Sequence, residues 1–297
     1  MSEANEALDT CCASCGIAEM DDIKLVPCDG CDLVRYCGDE CKNNHKPEHE
    51  DDCKKRVDEL RDELLVKQPE CSHLGDCPIC SLPLSLDRSK SSKMGCCSKL
   101  ICIGCFHANT QREKKMGIRQ SCPFCREPLP ENDEEYGKLM KKRIEANDPF
   151  ALHSYGVRQY NKGRYSSAFK LYAKAAELGH AEAHYRLANM YMQGRGVEKG
   201  TGKEKHHLEE AAISGQPDAR YQLGLFEWYH DNKEKAVKHW IIAATQGDDN
   251  SIKKLMFIFK GGFVRKEELA AALRAHKAAV DATKSAQRKV AEAFYNE

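Results

Sequence analysis

Residues 11–53 read CCASCGIAEMDDIKLVPCDGCDLVRYCGDECKNNHKPEHEDDC, and this stretch decides the fold of the N-terminal part. Its candidate metal ligands form four closely spaced pairs: Cys12 and Cys15, Cys28 and Cys31, Cys37 and Cys41, His49 and Cys53. Eight such ligands complete two closed tetrahedral zinc sites. A segment this short buries too little surface to fold alone, so zinc must supply its folding free energy.

The cysteines are confined to the N-terminal part of the chain. All 17 lie between Cys11 and Cys125, and residues 126–297 contain none.

The N-terminus lacks the apolar stretch of a secretory signal, and no run approaches the ~18 apolar residues of a membrane span. We therefore expect an intracellular protein, cytoplasmic or nuclear, in which paired cysteines hold metal. The formal net charge of +0 makes nucleic acid an unlikely partner and gives no reason to expect membrane binding.

The eight ligands in the run C-x2-C-x12-C-x2-C-x5-C-x3-C-x7-H-x3-C resemble those of a MYND-type zinc finger. The resemblance implies that the pairs alternate between two zinc ions. One ion would bind Cys12, Cys15, Cys37 and Cys41, and the other Cys28, Cys31, His49 and Cys53. It also implies recruitment of partner proteins, often through short proline-containing peptides. Cys11 is the spare thiol, since Cys12 gives the better spacing.

The flanks of this finger carry weaker signals. Residues 1–10 are expected to be disordered. The spacing of Cys37 with Cys41 and of His49 with Cys53 predicts two short helices. Residues 54–70 are predicted to form an amphipathic helical linker, because apolar residues recur there at helical spacing.

Residues 71–130 contain a second cluster, in which eight cysteines again form four pairs. The pattern resembles a RING-type finger of the all-cysteine kind. Carried over, one zinc would bind Cys77, Cys80, Cys102 and Cys105, and another Cys96, Cys97, Cys122 and Cys125. Adjacent cysteines rarely converge on one ion without backbone strain, so His107 is the alternative to Cys96. The two clusters together predict four zinc ions.

RING fingers that act as ligases hold a ubiquitin-charged conjugating enzyme in a reactive pose. The resemblance implies that Ile79, Phe106 and Pro123 contact that enzyme and that Arg126 orients ubiquitin. A guanidinium can bridge two carbonyl oxygens, which a lysine does poorly. The same apolar residues could instead only shape the zinc-binding turns.

Residues 145–250 contain an internal repeat. AEAHYRLANMY at 181–191 aligns with PDARYQLGLFEWY at 217–229, and the glycines Gly179, Gly215 and Gly247 close successive helices. The repeats resemble Sel-one-like repeats, a branch of the tetratricopeptide class, which form helix pairs with a groove for peptides or domains. Residues 251–297 are predicted to form a degenerate repeat and one long capping helix.

The predicted fold is multidomain: two small zinc-stabilised cross-brace modules followed by an all-α helical-repeat solenoid. The predicted function is a zinc-binding adaptor or scaffold for protein–protein interaction. The alternative is a RING-type ubiquitin ligase in which residues 71–130 recruit the conjugating enzyme and the repeats or the first finger select substrate.

Overall fold

The computed structural model of the chain describes residues 11–20 and 22–296. The disorder predicted for residues 1–10 lies outside the described residues. The chain divides into two compact units, and the boundary in the sequence falls between Lys67 and Gln68.

The first unit is a small β-hairpin followed by a long helix. Strand β1 (Val26–Pro27) pairs antiparallel with β2 (Arg35–Tyr36), and Val26 lies opposite Tyr36. Helix α1 (Asp39–Val66) follows. The buried core consists of three cysteines with two larger side chains, namely Cys12, Cys28, Cys31, Leu25 and Tyr36. So small a core depends on its cysteines.

Helix α1 differs from the sequence prediction. Two short helices and a separate linker were expected, but one helix of 28 residues contains both. Pro47 lies inside it, although an interior proline removes a hydrogen bond and usually ends or kinks a helix. Val57 and Leu64 remain largely exposed, so the apolar stripe that suggested an amphipathic linker is mostly not buried.

The second unit begins with the second cysteine module, residues 68–130. It contains a short 3-10 helix (Arg88–Lys90), the antiparallel strands β3 (Ser91–Lys93) and β4 (Leu100–Cys102), and helix α2 (Ile103–Met116). Its core combines cysteines with Leu84, Met94 and Ile101. Helix α3 (Asp133–Glu145) leads into the repeats.

The helical array consists of antiparallel pairs. These are α4 (Pro149–Asn161) with α5 (Tyr165–Glu177), α6 (Ala181–Gln193) with α7 (Thr201–Ile213), and α8 (Pro217–Tyr229) with α9 (Lys233–Thr245), followed by α10 (Asp249–Phe259). The closing glycines Gly179 and Gly215 both have φ of 79°, the left-handed conformation that glycine adopts without strain. This matches the sequence prediction.

The array has an apolar core between its layers. Trp240 is 0% exposed, and its indole N–H donates to the carbonyl of Tyr221 at 3.1 Å. Alanines such as Ala183 and Ala211 are also fully buried, which lets the helices approach closely. No helix in the described part of the chain is long and apolar enough to cross a bilayer.

The C-terminal segment contradicts the prediction of one long capping helix. It forms two helices, α11 (Lys266–Ala282) and α12 (Ala286–Asn296). The Ser285 hydroxyl accepts a hydrogen bond from the Arg288 amide at 3.2 Å, as an N-cap does. A new helix therefore starts at this point, and α12 packs against α2 of the second cysteine module.

Candidate metal centres and their surroundings

The predicted ligands come together in four groups of four, and within each group all ligand atoms lie within 4.8 Å of one another. Groups 1 and 2 lie in the first unit, and groups 3 and 4 in the second cysteine module. The groups are Cys12, Cys15, Cys37 and Cys41; Cys28, Cys31, His49 and Cys53; Cys77, Cys80, Cys102 and Cys105; and Cys96, Cys97, Cys122 and Cys125.

The distances inside the groups fit tetrahedral zinc. Sulfur ligands at about 2.3 Å from a tetrahedral ion lie about 3.8 Å from each other. The Sγ–Sγ distances are 3.6 Å for Cys15 and Cys37, 3.8 Å for Cys80 and Cys102, and 3.3 Å for Cys96 and Cys125. In group 2, Nε2 of His49 lies 3.1 Å from Sγ of Cys31. Each group therefore has the size that one zinc ion requires.

Without a cation, the thiols of group 3 have very different pKa values. A hydrogen bond from the Cys102 thiol is the main cause that lowers the pKa of Cys77 to about 4. Burial is the main cause that raises the pKa of Cys105 in the same group to about 12, and the negative charge of Cys77 raises it further. Without metal, one thiolate thus opposes ionisation of its neighbours. A divalent cation removes this opposition and lets all four sulfurs ionise.

Three of the ligand pairs share one type of turn. The residue after the second cysteine has a positive φ: 57° at Asp32, 52° at Ser81 and 65° at Arg126. The amide of that residue donates to the carbonyl of the first cysteine at 2.8 Å for Ser81 and Cys77, and at 2.9 Å for Arg126 and Cys122. The turn aims both sulfurs at one point.

The same turn explains the adjacent cysteines of group 4. The Ser98 amide donates to the Met94 carbonyl at 2.8 Å, and Ser98 has φ of 56°. Buried Met94 therefore stands where the other turns have their first cysteine, and Cys97 stands where they have their second. Cys96, between them, supplies the missing sulfur.

His107, the alternative to Cys96, does not lie in group 4. It is buried elsewhere, with its ring centroid 4.7 Å from that of Phe294. Of the two alternatives left open by the sequence, the structure brings Cys96 to the site.

Group 2 has a supporting residue that sequence reasoning missed. His45 lies off the ligand spacing and is half-buried. Its Nδ1 lies 3.1 Å from the Tyr36 hydroxyl, and its ring stacks on that of His49 at 5.6 Å between centroids. The spacing of four residues between His45 and His49 was the available signal.

The four residues proposed to contact a conjugating enzyme are in different environments. Ile79 is 44% exposed and Arg126 is exposed. Phe106 packs against the module core, and Pro123 is buried. Phe124, which sequence reasoning did not single out, is 44% exposed. Asn109 is a further missed residue, because its Oδ1 accepts a hydrogen bond from Nη1 of Arg126 at 3.2 Å.

A cavity of about 820 Å³ lies between the second cysteine module and the edge of the array. Its walls include Arg88 and Lys93 from the module and Glu182, Asp218 and Asp249 from the helices. Basic side chains thus lie on the module side of the cavity, and acidic side chains lie on the helix side.

Buried Glu182 is the main electrostatic contact in this wall. Its carboxylate lies 2.5 Å from Arg88 and 3.1 Å from Arg186. Burial raises its pKa, but the two arginines outweigh burial and leave the pKa below its ordinary value. His73, which carried no predicted role, lies 3.7 Å from the same carboxylate, and its amide donates to the Gly215 carbonyl at 3.0 Å.

Family models match two parts of the chain. The MYND finger model matches residues 12–53. The Sel1 repeat model matches residues 151–180, 181–215 and 217–248. The chain thus carries a MYND finger and three Sel1 repeats. The MYND finger implies zinc, and the predicted order of a zinc-binding N-terminal part followed by a helical-repeat solenoid is confirmed.

Curated relatives match only parts of the chain. The exopolysaccharide production negative regulator of Rhizobium meliloti is 36% identical over 78 residues, which are 26% of this chain and 29% of that protein. The chitin synthase regulator SKT5 of Saccharomyces cerevisiae is 33% identical over 75 residues, 25% of this chain and 11% of that protein. The DAP3-binding cell death enhancer 1 of Rattus norvegicus is 29% identical over 202 residues, 54% of this chain and 40% of that protein. In each case the match spans less than half of the relative.

Among solved structures, the chain matches a Sel1 repeat protein from Oxalobacter formigenes. It has a TM-score of 0.45 and 24% sequence identity, over 59% of this chain and 72% of that chain.

Proposed function

We propose that this protein is an adaptor that holds partner proteins through its MYND finger, its second cysteine module and its helical array. The main support for the proposal is that each candidate metal group brings four potential protein ligands together. Zinc in such a closed site is structural, because no position remains for water or substrate. The zinc ions would hold the modules in shape, and the recognition would be done by their surfaces.

The relatives support the same proposal in part. The names of two of them describe regulators, and the name of a third describes binding to another protein. Sel1 repeats are the part of the chain in which helix pairs stack into an extended surface. The cavity next to the array has room for a side chain or chain end of a bound peptide, with charged groups to orient it. The partners would be proteins inside the cell, in the cytoplasm or nucleus.

The adaptor proposal predicts two separate sets of ligands. Phage-displayed peptides selected on the zinc-loaded full chain should fall into one set that needs the MYND finger and another that needs residues 68–297. The variant Cys31→Ser disrupts group 2 and should abolish binding of the first set only. Loss of both sets together, or selection of no specific peptide, would argue against separate recognition surfaces.

Ubiquitin ligase activity is the second candidate. It is supported by the RING-like cysteine pattern, the exposed side chain of Ile79 and the position of Arg126, which donates to Asn109. Exposed Phe124 adds an apolar side chain two residues before Arg126 in the sequence. Pro123 is buried and Phe106 packs against the module core, so the exposed candidates for the contact are Ile79, Phe124 and Arg126.

Self-ubiquitination with purified components separates the two functions. If the module is a ligase, Ile79→Ala should reduce the rate about tenfold or more, as truncation of a central interface residue does. Arg126→Lys should not restore the rate, because lysine lacks the planar fork of donors. Met116→Ala, at a 63% exposed position on the same module, is the matched control. Absence of product across a broad panel of conjugating enzymes would leave the adaptor as the complete account.

A further inference from the structure

Helix α12 returns from the end of the array to the second cysteine module. Gly104, in the first turn of α2, permits this approach, because a Cβ there would lie 3.0 Å from the Arg288 backbone. Nε2 of Gln287 donates to the Gly104 carbonyl at 3.3 Å. Farther along the helix, Phe294 packs on His107. The helix is therefore seated next to the ligands Cys102 and Cys105.

Arg288 is the centre of this contact. It is 4% exposed. Nη1 donates to the carbonyls of Pro83 and Thr283, both at 2.6 Å. Nη2 donates to the Leu82 carbonyl at 3.1 Å and lies 3.4 Å from Sγ of Cys80, a ligand of group 3. The guanidinium thus contacts both a cysteine of group 3 and the backbone carbonyls just after that cysteine.

The charge of Arg288 needs a partner. Within the described residues, no carboxylate oxygen lies within 4.0 Å of its guanidinium, and a buried unpaired charge is strongly unfavourable. Zinc held by four thiolates has a net charge of about −2, which a cation that donates to one sulfur partly offsets. Groups that bond to metal ligands in this way orient them and raise metal affinity.

We propose that Arg288 is a second-sphere partner of zinc in group 3, and that zinc binding there and docking of α12 stabilise each other. Linkage of this kind is reciprocal. Loss of α12 weakens zinc binding, and loss of zinc releases α12. Arg288, which lies 208 positions after Cys80 in the sequence, would thus donate to a sulfur ligand of the zinc ion in group 3.

The first test measures zinc release from the full-length, zinc-loaded chain. Arg288→Met should accelerate release of one of the four ions by about tenfold or more, the usual effect of removing a group that supports metal ligands. Alkylation of Cys77 and Cys80, followed by peptide mass spectrometry, should identify group 3 as the site. Lys289→Met removes the same charge from the exposed neighbouring position and should behave like the unmodified protein.

The second test approaches the linkage from the zinc side. Hydrogen exchange of residues 286–296 should be slow in the zinc-loaded chain and fast in Cys105→Ser, while the helices of the array stay protected. This measurement uses a different variant, so it tests the proposal even if Arg288→Met folds poorly. Equal zinc release in Arg288→Met and Lys289→Met, or continued protection of 286–296 in Cys105→Ser, would overturn the proposal.

Discussion

Substitution of Cys31 by serine is expected to unfold the MYND finger and to leave residues 68–297 folded. Cys31 is 0% exposed, and its sulfur lies 3.1 Å from Nε2 of His49. Helix α1 carries Cys41 of group 1 together with His49 and Cys53 of group 2. Damage to one group should therefore spread to the other. Zinc contributes about 10–16 kcal/mol to the folding of such small modules. This contribution is as large as the whole stability of a typical domain, about 5–15 kcal/mol.

Elemental analysis and hydrogen exchange would measure this effect together. The zinc content should fall from four ions per chain to about two, and residues 12–53 should lose amide protection. Cys71→Ser is the matched control, because Cys71 is exposed and outside all four groups. Retention of four zinc ions by Cys31→Ser would remove Cys31 from the ligand set.

Replacement of Cys96 by alanine is expected to cost group 4 its zinc, and a second substitution, Met94→Cys, is expected to restore it. Met94 occupies the first position of a turn whose hydrogen bonds match those around Cys77. The Met94 amide donates to the Lys99 carbonyl at 2.9 Å, as the Cys77 amide does to that of Leu82. A cysteine at 94 would regain the usual pair with Cys97.

Zinc content and thermal unfolding of the single and double variants test this rescue. The single variant should contain one zinc ion fewer and unfold at a lower temperature. The double variant should recover most of both, whereas Met94→Cys in the presence of Cys96 should contain no additional zinc. Failure of the double variant to regain zinc would mean that position 94 does not aim its side chain at the ion.

Short-range spacing made the metal groups predictable from the sequence. A Cys-x-x-Cys pair predicts a local turn, and this pattern is recognisable without knowledge of the surrounding structure. The adjacent pair of Cys96 and Cys97 was harder, because the turn keeps its backbone hydrogen bonds while its first cysteine is replaced by Met94. The choice between Cys96 and His107 depended on where α12 buries His107, which no local pattern shows.

Helix boundaries were predictable only where a capping signal is strong. The closing glycines Gly179 and Gly215 mark helix ends in the repeats, and both adopt the expected left-handed conformation. The ligand spacing predicted two short helices, but Cys41, His49 and Cys53 lie on one continuous helix that contains Pro47. In the tail, the N-cap at Ser285 was the signal for a new helix, but the surrounding apolar periodicity concealed it.

Contacts between distant segments could not be read from the sequence. Arg288 reaches Cys80, and Arg88 reaches Glu182, across separations with no shared pattern. Charged residues of this kind look like solvent-facing positions in a sequence. The burial of Arg288 and Glu182 follows from the fold of residues 68–297 as one unit.

The metal content of the native protein is the decisive measurement for the four zinc sites. Elemental analysis of the full chain, purified without chelators or added metal, should find four zinc ions per chain. Mass spectrometry under denaturing conditions should find the cysteines of the four groups as thiols. Zinc well below four ions, or disulfides that join these sulfurs, would contradict the account.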